Sequence, residues 1–199
     1  MKKLFLSIAL AFFCQISFGQ SSYTVDPSSK VTVKGTSTLH DWTSETKTIQ
    51  GTYVFKSEVT AKKFPTSGSI VNDVKLVIPV TSLYSERGDA MNNKTHNAFQ
   101  YEANPEITFV VKSDELKEVT KEGKFKLIVN GDLTMAGHTE SITMEMDGER
   151  LANNQLKFFT SKKINMTTYE MVPPSAMFGQ IKTGEEVTIE FDLLLNNTK

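Results

Sequence analysis

The sequence has few of the residues on which disulfide, thiol and metal chemistry depend. Its single cysteine, Cys14, lies within the first 19 residues, and its only histidines are His40, His96 and His138. If the leading segment is removed, no cysteine remains, which excludes disulfides and a thiol nucleophile from the mature chain. No two histidines are spaced i, i+4 and the H-E-x-x-H pattern is absent, so the sequence indicates no metal site.

Long apolar runs are missing beyond the first residues. Residues 1–19 combine Lys2 and Lys3 with a short apolar run and a small-residue end at Ser17 and Gly19. This is the pattern of a secretory signal peptide, and the run is too short to cross a bilayer. We therefore expect cleavage after Gly19, a mature chain that does not span a membrane, and a periplasmic or secreted location.

Blocks of one charge are missing as well from the mature chain, residues 20–199, which has the length of one domain. Cleavage removes two lysines and no acidic residue, so 22 basic and 23 acidic residues become 20 and 23, a formal charge of −3. Without a basic stripe, nucleic acid is not favoured as a partner. Gly-rich phosphate loops and the calcium-loop pattern are absent, so no cofactor is predicted.

What is present is alternation of apolar and polar residues along most of the mature chain. Successive side chains of a strand point to opposite faces, so each alternating segment predicts a strand with one dry face. The clearest examples are EITFVVK, KFKLIVNGDLTM, SITMEMD and EEVTIEFDLLL, with further strands near 29–38, 45–55, 70–80 and 154–167. About eight strands joined by Gly, Asn and Pro turns predict an all-β fold, either a closed antiparallel barrel or a sandwich.

Two segments interrupt this rhythm. Residues 86–102 have few β-branched side chains, and Met91, Thr95 and Ala98 share helical spacing with Phe99, so a short helix is predicted there. Residues 169–180 contain two consecutive prolines, which exclude a regular strand or helix interior. We expect an irregular crossing that covers one end of the barrel or serves as a lid.

The stretch TLHDW sets His40 beside Asp41 and Trp42. Adjacent strand residues face opposite ways, so Asp41 would not orient the imidazole as a triad requires, and no G-x-S-x-G elbow supplies a nucleophile. Glu145 and Asp147 share a strand face opposite two methionines, which predicts a hydrated outer wall. The sequence therefore predicts no enzyme, with a hydrolase using one of the histidines as the catalytic alternative.

Four stretches, in order, resemble the YceI-like family of secreted bacterial domains with a lipocalin-like barrel. They are YTVDPSSKVTVKGTSTLHDWTSETKTIQGTY, PVTSLYSERGDAMNNKTHNAFQYEANPEITF, VNGDLTMAGHTESITM and INMTTYEMVPPSAMFGQIKTGEEVTIEFDL, and together they extend from about Tyr23 to Leu195. The family's Arg-Asp-x-His-Leu run is altered, because Gly88 separates Arg87 from Asp89 in this sequence.

This resemblance implies an eight-stranded lipocalin-like barrel that holds a long apolar ligand such as a polyisoprenoid, a prenylated quinone or a fatty-acid derivative. His40 and His96 are the candidate residues for contacts with the polar head group of that ligand. The residues expected to line the lumen and mouth are Trp42, Phe109, Leu127, Val129, Met144, Met146, Phe158, Phe178, Ile189 and Phe191.

From the residues alone, a solid core fits as well as a hollow one, because methionine and phenylalanine fill ordinary cores too. The alternative function is therefore a solid barrel that binds a partner protein in the envelope through its helix and mouth loops. Phe99, Tyr101 and Trp42 would be its anchors. The sequence also leaves a homodimer open.

Overall fold

A computed structural model describes residues 20–60 and 62–198; the predicted signal peptide, residues 1–19, lies outside them. The strands are β1 (Gln20–Val25), β2 (Lys30–Ser37), β3 (Trp42–Thr46), β4 (Gln50–Lys56), β5 (Val71–Pro79), β6 (Glu106–Lys117), β7 (Lys124–Met135), β8 (His138–Arg150), β9 (Leu156–Asn165), β10 (Ser175–Ala176) and β11 (Ile181–Asn197). The helix α1 covers Asp89–Ala98, and short 3-10 turns cover Ser57–Thr60, Val80–Ser82, Ala152–Asn154, Met166–Tyr169 and Met177–Gly179.

The strands close into a barrel because β11 pairs with both β9 and the first part of the chain. One edge of β11 pairs with β2 over residues 183–192 and with β1 over residues 195–197, so β1 and β2 form one interrupted row. β4 pairs with β1 and β3 with β2, which makes a second interrupted row. With β5, β6, β7, β8, β9 and β11 the antiparallel ring has eight rows, which confirms the predicted barrel and excludes the sandwich.

The break between β1 and β2 is built by side chains that replace backbone hydrogen bonds. Pro27 has no N–H to donate, and Asp26 accepts from the Ser28 backbone N–H at 2.9 Å and from its hydroxyl at 2.7 Å. These bonds lower the pKa of the Asp26 carboxyl. Buried Ser29 uses its hydroxyl both to donate to the Leu194 carbonyl and to accept from the Leu194 N–H. Its side chain thereby keeps the row attached to β11 across the gap.

One end of the barrel is filled by aromatic side chains. Phe158 stacks on Phe55 with ring centroids 5.9 Å apart and meets Phe125 edge-on at the same distance. Tyr23 adds an edge contact to Phe55 at 5.3 Å, and Phe64 stacks on Phe125 at 5.0 Å. We call this group the aromatic plug; it closes the end of the barrel away from α1.

Two glycines make room for inward aromatic rings on the neighbouring strand. Gly148 lies opposite Phe125, and a Cβ atom added there would lie 2.1 Å from the Phe125 ring. Gly35 lies opposite Trp42, and its added Cβ would lie 2.2 Å from the indole. Real Cβ atoms do not approach other atoms so closely, so both rings depend on the absence of a side chain.

We expect Gly35→Ala to displace the indole of Trp42 and to lower the free energy of unfolding by about 1–3 kcal/mol, the usual effect of overpacking. Because Trp42 is the only tryptophan, its emission spectrum reports the displacement directly, and urea denaturation reports the stability. Lys34→Ala, an outward change at the preceding residue, is the control. An unshifted spectrum in Gly35→Ala would contradict the close contact.

The two interruptions predicted from the sequence are confirmed, the helix with narrower bounds. α1 covers 89–98 rather than 86–102, and it is followed by the capping residue Phe99 and by Gln100 in the left-handed conformation at φ 52°. The Pro-rich crossing is irregular as predicted, but it also contains a small hairpin that the sequence did not predict. In it, Ser175 and Ala176 pair with Lys182 and Ile181.

Candidate ligand cavity

Three voids lie in series along the inside of the barrel. An upper cavity of about 160 Å³ lies beneath α1, a lower cavity of about 60 Å³ lies beside the aromatic plug, and a gap of about 10 Å³ lies between them. The gap shares Ile189 with the upper cavity and Phe109, Met144 and Phe191 with the lower one. We call these four residues the neck, because their side chains separate the two larger voids.

The upper cavity has β-strand walls and a helical lid. Val33 and Val187 come from β2 and β11, and Trp42 comes from β3. The top is closed by α1, through Met91, Thr95 and Ala98, and by Phe99 at its C-terminal end. The volume is close to that of an engineered apolar cavity of about 150 Å³ that binds benzene, so the upper cavity fits a ring-sized or branched apolar group without any rearrangement.

Side-chain hydrogen bonds hold α1 over this cavity. The buried Asn92 side chain accepts from the Ser85 N–H at 2.7 Å. His96 Nε2 lies 2.9 Å from the Leu83 carbonyl, and because a carbonyl only accepts, the imidazole must donate. The segment 83–85 thus anchors the helix at two points. His96 therefore holds the lid, and it is not among the residues that line the upper cavity; its contact with a head group stays a prediction.

The rim of the upper cavity carries His40 and Arg87. Arg87 donates one amino group to His40 Nε2 at 3.1 Å and the other to the Asp41 carbonyl at 2.9 Å. A guanidinium cannot accept, so His40 Nε2 is the acceptor here. The ring of His40 is thus oriented by Arg87 and not by its neighbouring carboxylate, which gives no support to a His40-Asp41 catalytic pair.

Trp42 lies just inside this rim. Its side chain is buried, and Nε1 donates to the Thr36 carbonyl at 3.2 Å. The indole therefore has its polar atom satisfied by the β2 backbone, while the ring faces the upper cavity. This arrangement brings Trp42 and His40, from the TLHDW stretch, to the same mouth.

Most of the other predicted ligand-binding residues lie together inside the barrel. Phe109, Met144, Ile189 and Phe191 form the neck. The lower cavity is lined by Leu127, Val129, Met146 and Phe158. Phe178 is placed differently: its side chain is fully exposed at the mouth, because the backbone of Met177 and Phe178 is left-handed at φ 50° and 54°.

The helical face of α1 is not among the predicted lining residues. The helical spacing of Met91, Thr95 and Ala98 is the signal in the sequence that points to it. Thr95 is notable because its side-chain oxygen is buried and has no hydrogen-bond partner among the described residues. A buried hydroxyl without a partner is costly, and this one belongs to a residue that lines the upper cavity.

The other chemical candidates lie on the outside of the barrel. Lys126 binds Glu145 at 2.8 Å and Asp147 at 2.9 Å, and these hydrogen bonds raise the pKa of Lys126. This confirms that the two carboxylates belong to a hydrated outer wall. His138 pairs with exposed Glu170 at 3.3 Å. Within residues 20–60 and 62–198, no cluster of three or more His, Cys, Asp or Glu side chains is arranged to hold a metal ion.

In the described part of the chain, no helix has the length and apolar character needed to cross a membrane.

Comparison with solved structures gives the same barrel in several bacterial proteins. The chain is similar to Burkholderia cenocepacia BcnA, with 20% identity, a TM-score of 0.63, and coverage of 86% of this chain and 99% of that one. It is also similar to a polyisoprenoid binding domain from Saccharophagus degradans implicated in plant cell wall breakdown (13% identity, TM-score 0.65, 89% and 98% covered). A Campylobacter jejuni YceI protein matches with 16% identity, a TM-score of 0.54, and 77% and 83% covered.

A search of curated proteins finds no significant match to this chain. The family model described as the YceI-like domain matches residues 23–195, nearly the whole described barrel from β1 to β11. The break at Asp26–Ser29, the lid helix and the hairpin after the Pro-rich crossing all lie within that match. The chain therefore belongs to the YceI-like domain family.

Proposed function

We propose that this protein is a periplasmic or secreted carrier that holds the chain of one long apolar lipid in its barrel and catalyses no reaction. The observation that carries the proposal is the series of apolar voids beneath α1. A polyisoprenoid, a prenylated quinone or a fatty-acid derivative has the required chemistry. The polyisoprenoid binding domain from Saccharophagus degradans, which has the same fold, supports this class of ligand.

The chain would enter at the upper cavity and extend towards the aromatic plug. At about 0.8 kcal/mol per buried CH₂, ten to fifteen buried carbons would contribute roughly 8–12 kcal/mol, offset by several kcal/mol for ordering the chain. Micromolar or tighter binding therefore needs no charged anchor. The neck must open for a chain longer than the upper cavity, and Met144 suits this because an unbranched thioether side chain repacks easily.

The polar end of the lipid would stay at the rim. His40 and Lys94 line the upper cavity, and Arg87 contacts it through its hydrogen bond to His40. Each of the three side chains presents polar atoms beside the apolar walls. Arg87 orients His40 as described above. We propose that this rim contacts the head group, while the cavity selects the chain.

The alternative, a solid barrel that binds a partner protein through aromatic anchors, has less support. Phe99 and Trp42 are only 6% and 8% exposed, and Tyr101 is half-buried against the core. Interface anchors must be available at the free surface, whereas these side chains already pack within the protein.

The direct test is mass spectrometry of an organic extract of the protein, purified without detergent from its native envelope. A stoichiometric prenyl or acyl species would establish the carrier function and identify the ligand. A blank extract, repeated after incubation with membrane lipids, would count against it.

A second test uses Trp42 as the reporter. We expect a long-chain fatty acid brominated near its carboxyl end to quench the emission of Trp42 strongly, because bromine quenches on contact and the indole borders the upper cavity just inside the rim. The non-brominated fatty acid is the control for indirect effects on the spectrum. Saturable binding without quenching would place the ligand elsewhere on the protein.

A further inference from the structure

The mouth of the barrel displays large apolar side chains to solvent. The exposed fractions are 65% for Leu39, 78% for Val172 and 64% for Met177, and Phe178 is fully exposed. We call these four residues the mouth patch. Scattered exposed apolar residues are ordinary on a protein surface, but a group concentrated at one site indicates an interaction.

The mouth patch is built from two segments that hydrogen bonds hold together. Thr38 donates its backbone N–H to the Lys182 carbonyl at 3.0 Å, and its hydroxyl accepts from the Lys182 N–H at 3.2 Å. This places Leu39 beside the hairpin formed by β10 and the start of β11, and Met177 and Phe178 form the tip of that hairpin.

The backbone at the tip turns these side chains outward. Met177, Phe178 and Gly179 have φ angles of 50°, 54° and 85°, all in the left-handed region. Non-glycine residues seldom adopt this conformation, and strained backbone of this kind concentrates at functional sites. The tip therefore maintains a fully exposed phenylalanine at a conformational cost.

The mouth patch is continuous with the lining of the upper cavity. Leu39, Pro174, Ala176 and Ile181 line that cavity, and they belong to the same two segments that carry the patch. An apolar path therefore leads from the protein surface to the cavity. A lipid chain can pass from a bilayer along this path without crossing water, but only when the mouth patch is itself seated in the bilayer.

We propose that the mouth patch docks on a lipid membrane surface, with Phe178 and Met177 inserted into the boundary between head groups and acyl chains. This proposal rests on the proposed carrier function, since the occupant is inferred from the continuity of the patch with a lipid cavity. A protruding apolar tip suits a fluid interface, where no complementary pocket is needed.

The charges near the mouth indicate how the docking would depend on lipid composition. Arg87, Lys94 and Lys182 are accompanied by Asp41 and Asp89, so the surface shows no strong excess of positive charge. Insertion of apolar side chains must then supply the binding. Binding should therefore occur on vesicles of phosphatidylcholine alone and should change little when salt is raised.

The test compares the protein with the double variant Met177→Asn/Phe178→Asn in flotation with phosphatidylcholine vesicles. Asparagine tolerates left-handed backbone, so the hairpin tip keeps its shape while losing both apolar side chains. We expect vesicle binding to fall at least tenfold, and Phe159→Asn, which removes an exposed phenylalanine from the barrel wall, to bind like the unmodified protein. A protein that does not float, or a double variant that floats equally well, would overturn the proposal.

A second measurement separates docking from lipid binding. Transfer of a brominated long-chain fatty acid from vesicles should quench Trp42 at least tenfold more slowly in the double variant, whereas its affinity in solution should be unchanged because neither residue lines the cavity. Equal transfer rates with lipid in the lumen would overturn the docking surface and leave the carrier function standing. Vesicle binding with no lipid in the extract would overturn the carrier function and leave the docking surface standing.

Discussion

We expect Phe158→Ala to lower the free energy of unfolding by about 3–5 kcal/mol. Phe158 is 4% exposed and connects Phe55 to Phe125 in the aromatic plug. Truncation removes both ring contacts and leaves a void that neighbouring strands cannot fill, because the barrel ring fixes their positions. For a domain of this length, each kcal/mol changes the melting temperature by about 2–4 °C, so we expect a decrease of about 6–20 °C.

The adjacent residue supplies a matched control. Phe159 belongs to the same strand, β9, but its side chain lies on the outer face and is 42% exposed. Phe159→Ala should change the stability by about 0.5 kcal/mol, as surface substitutions usually do. Calorimetry of the two variants compares identical chemical changes on opposite faces. Similar destabilisation by both would contradict the inward orientation of Phe158 and the aromatic plug.

The barrel could be predicted because its cause is local. Alternation such as that of Val187, Ile189 and Phe191 fixes which face of a strand is dry, and short turns fix antiparallel neighbours. The interruptions of the first two rows could not be predicted in the same way. The first depends on the Ser29 hydroxyl binding Leu194, 165 residues away, and no local pattern reveals such a contact.

Whether the barrel was solid or hollow could not be decided from the sequence, and the structure explains why. Both alternatives hold, in different halves of the same lumen. Phe55, Phe125 and Phe158 fill one end, whereas α1 covers a cavity at the other. Periodicity places a side chain inside, but the space left over depends on how all inward side chains pack against each other and on small residues such as Ala98.

The exposure of Phe178 also lay beyond the sequence pattern. An aromatic residue in a Pro-rich crossing was predicted to face the lumen or the mouth, since apolar residues usually seek burial. Its direction is set by left-handed backbone at Met177 and Phe178, and non-glycine residues in that region are too rare to be expected from residue type. The mouth patch, from which we infer membrane docking, follows from that local geometry.

Ala98→Phe should abolish most ligand binding while leaving the fold intact. Ala98 lines the upper cavity from α1, and a phenyl ring added there occupies a void of the size that accepts benzene. The ring displaces about four carbons of a bound chain, or about 3 kcal/mol at 0.8 kcal/mol per CH₂. The affinity for a long-chain fatty acid should then fall about a hundredfold, measured by quenching of Trp42 with the brominated acid.

Ala103→Phe adds the same ring at an exposed position just beyond α1, and it should bind the acid like the unmodified protein. Filling an apolar cavity usually raises stability slightly, so Ala98→Phe should melt at the same temperature as the unmodified protein or higher. That result distinguishes a blocked cavity from a damaged fold, because a variant that binds poorly through misfolding would also melt earlier. Full affinity in a stable Ala98→Phe variant would mean that the chain bypasses the upper cavity, and the route from the mouth through the neck would then be wrong.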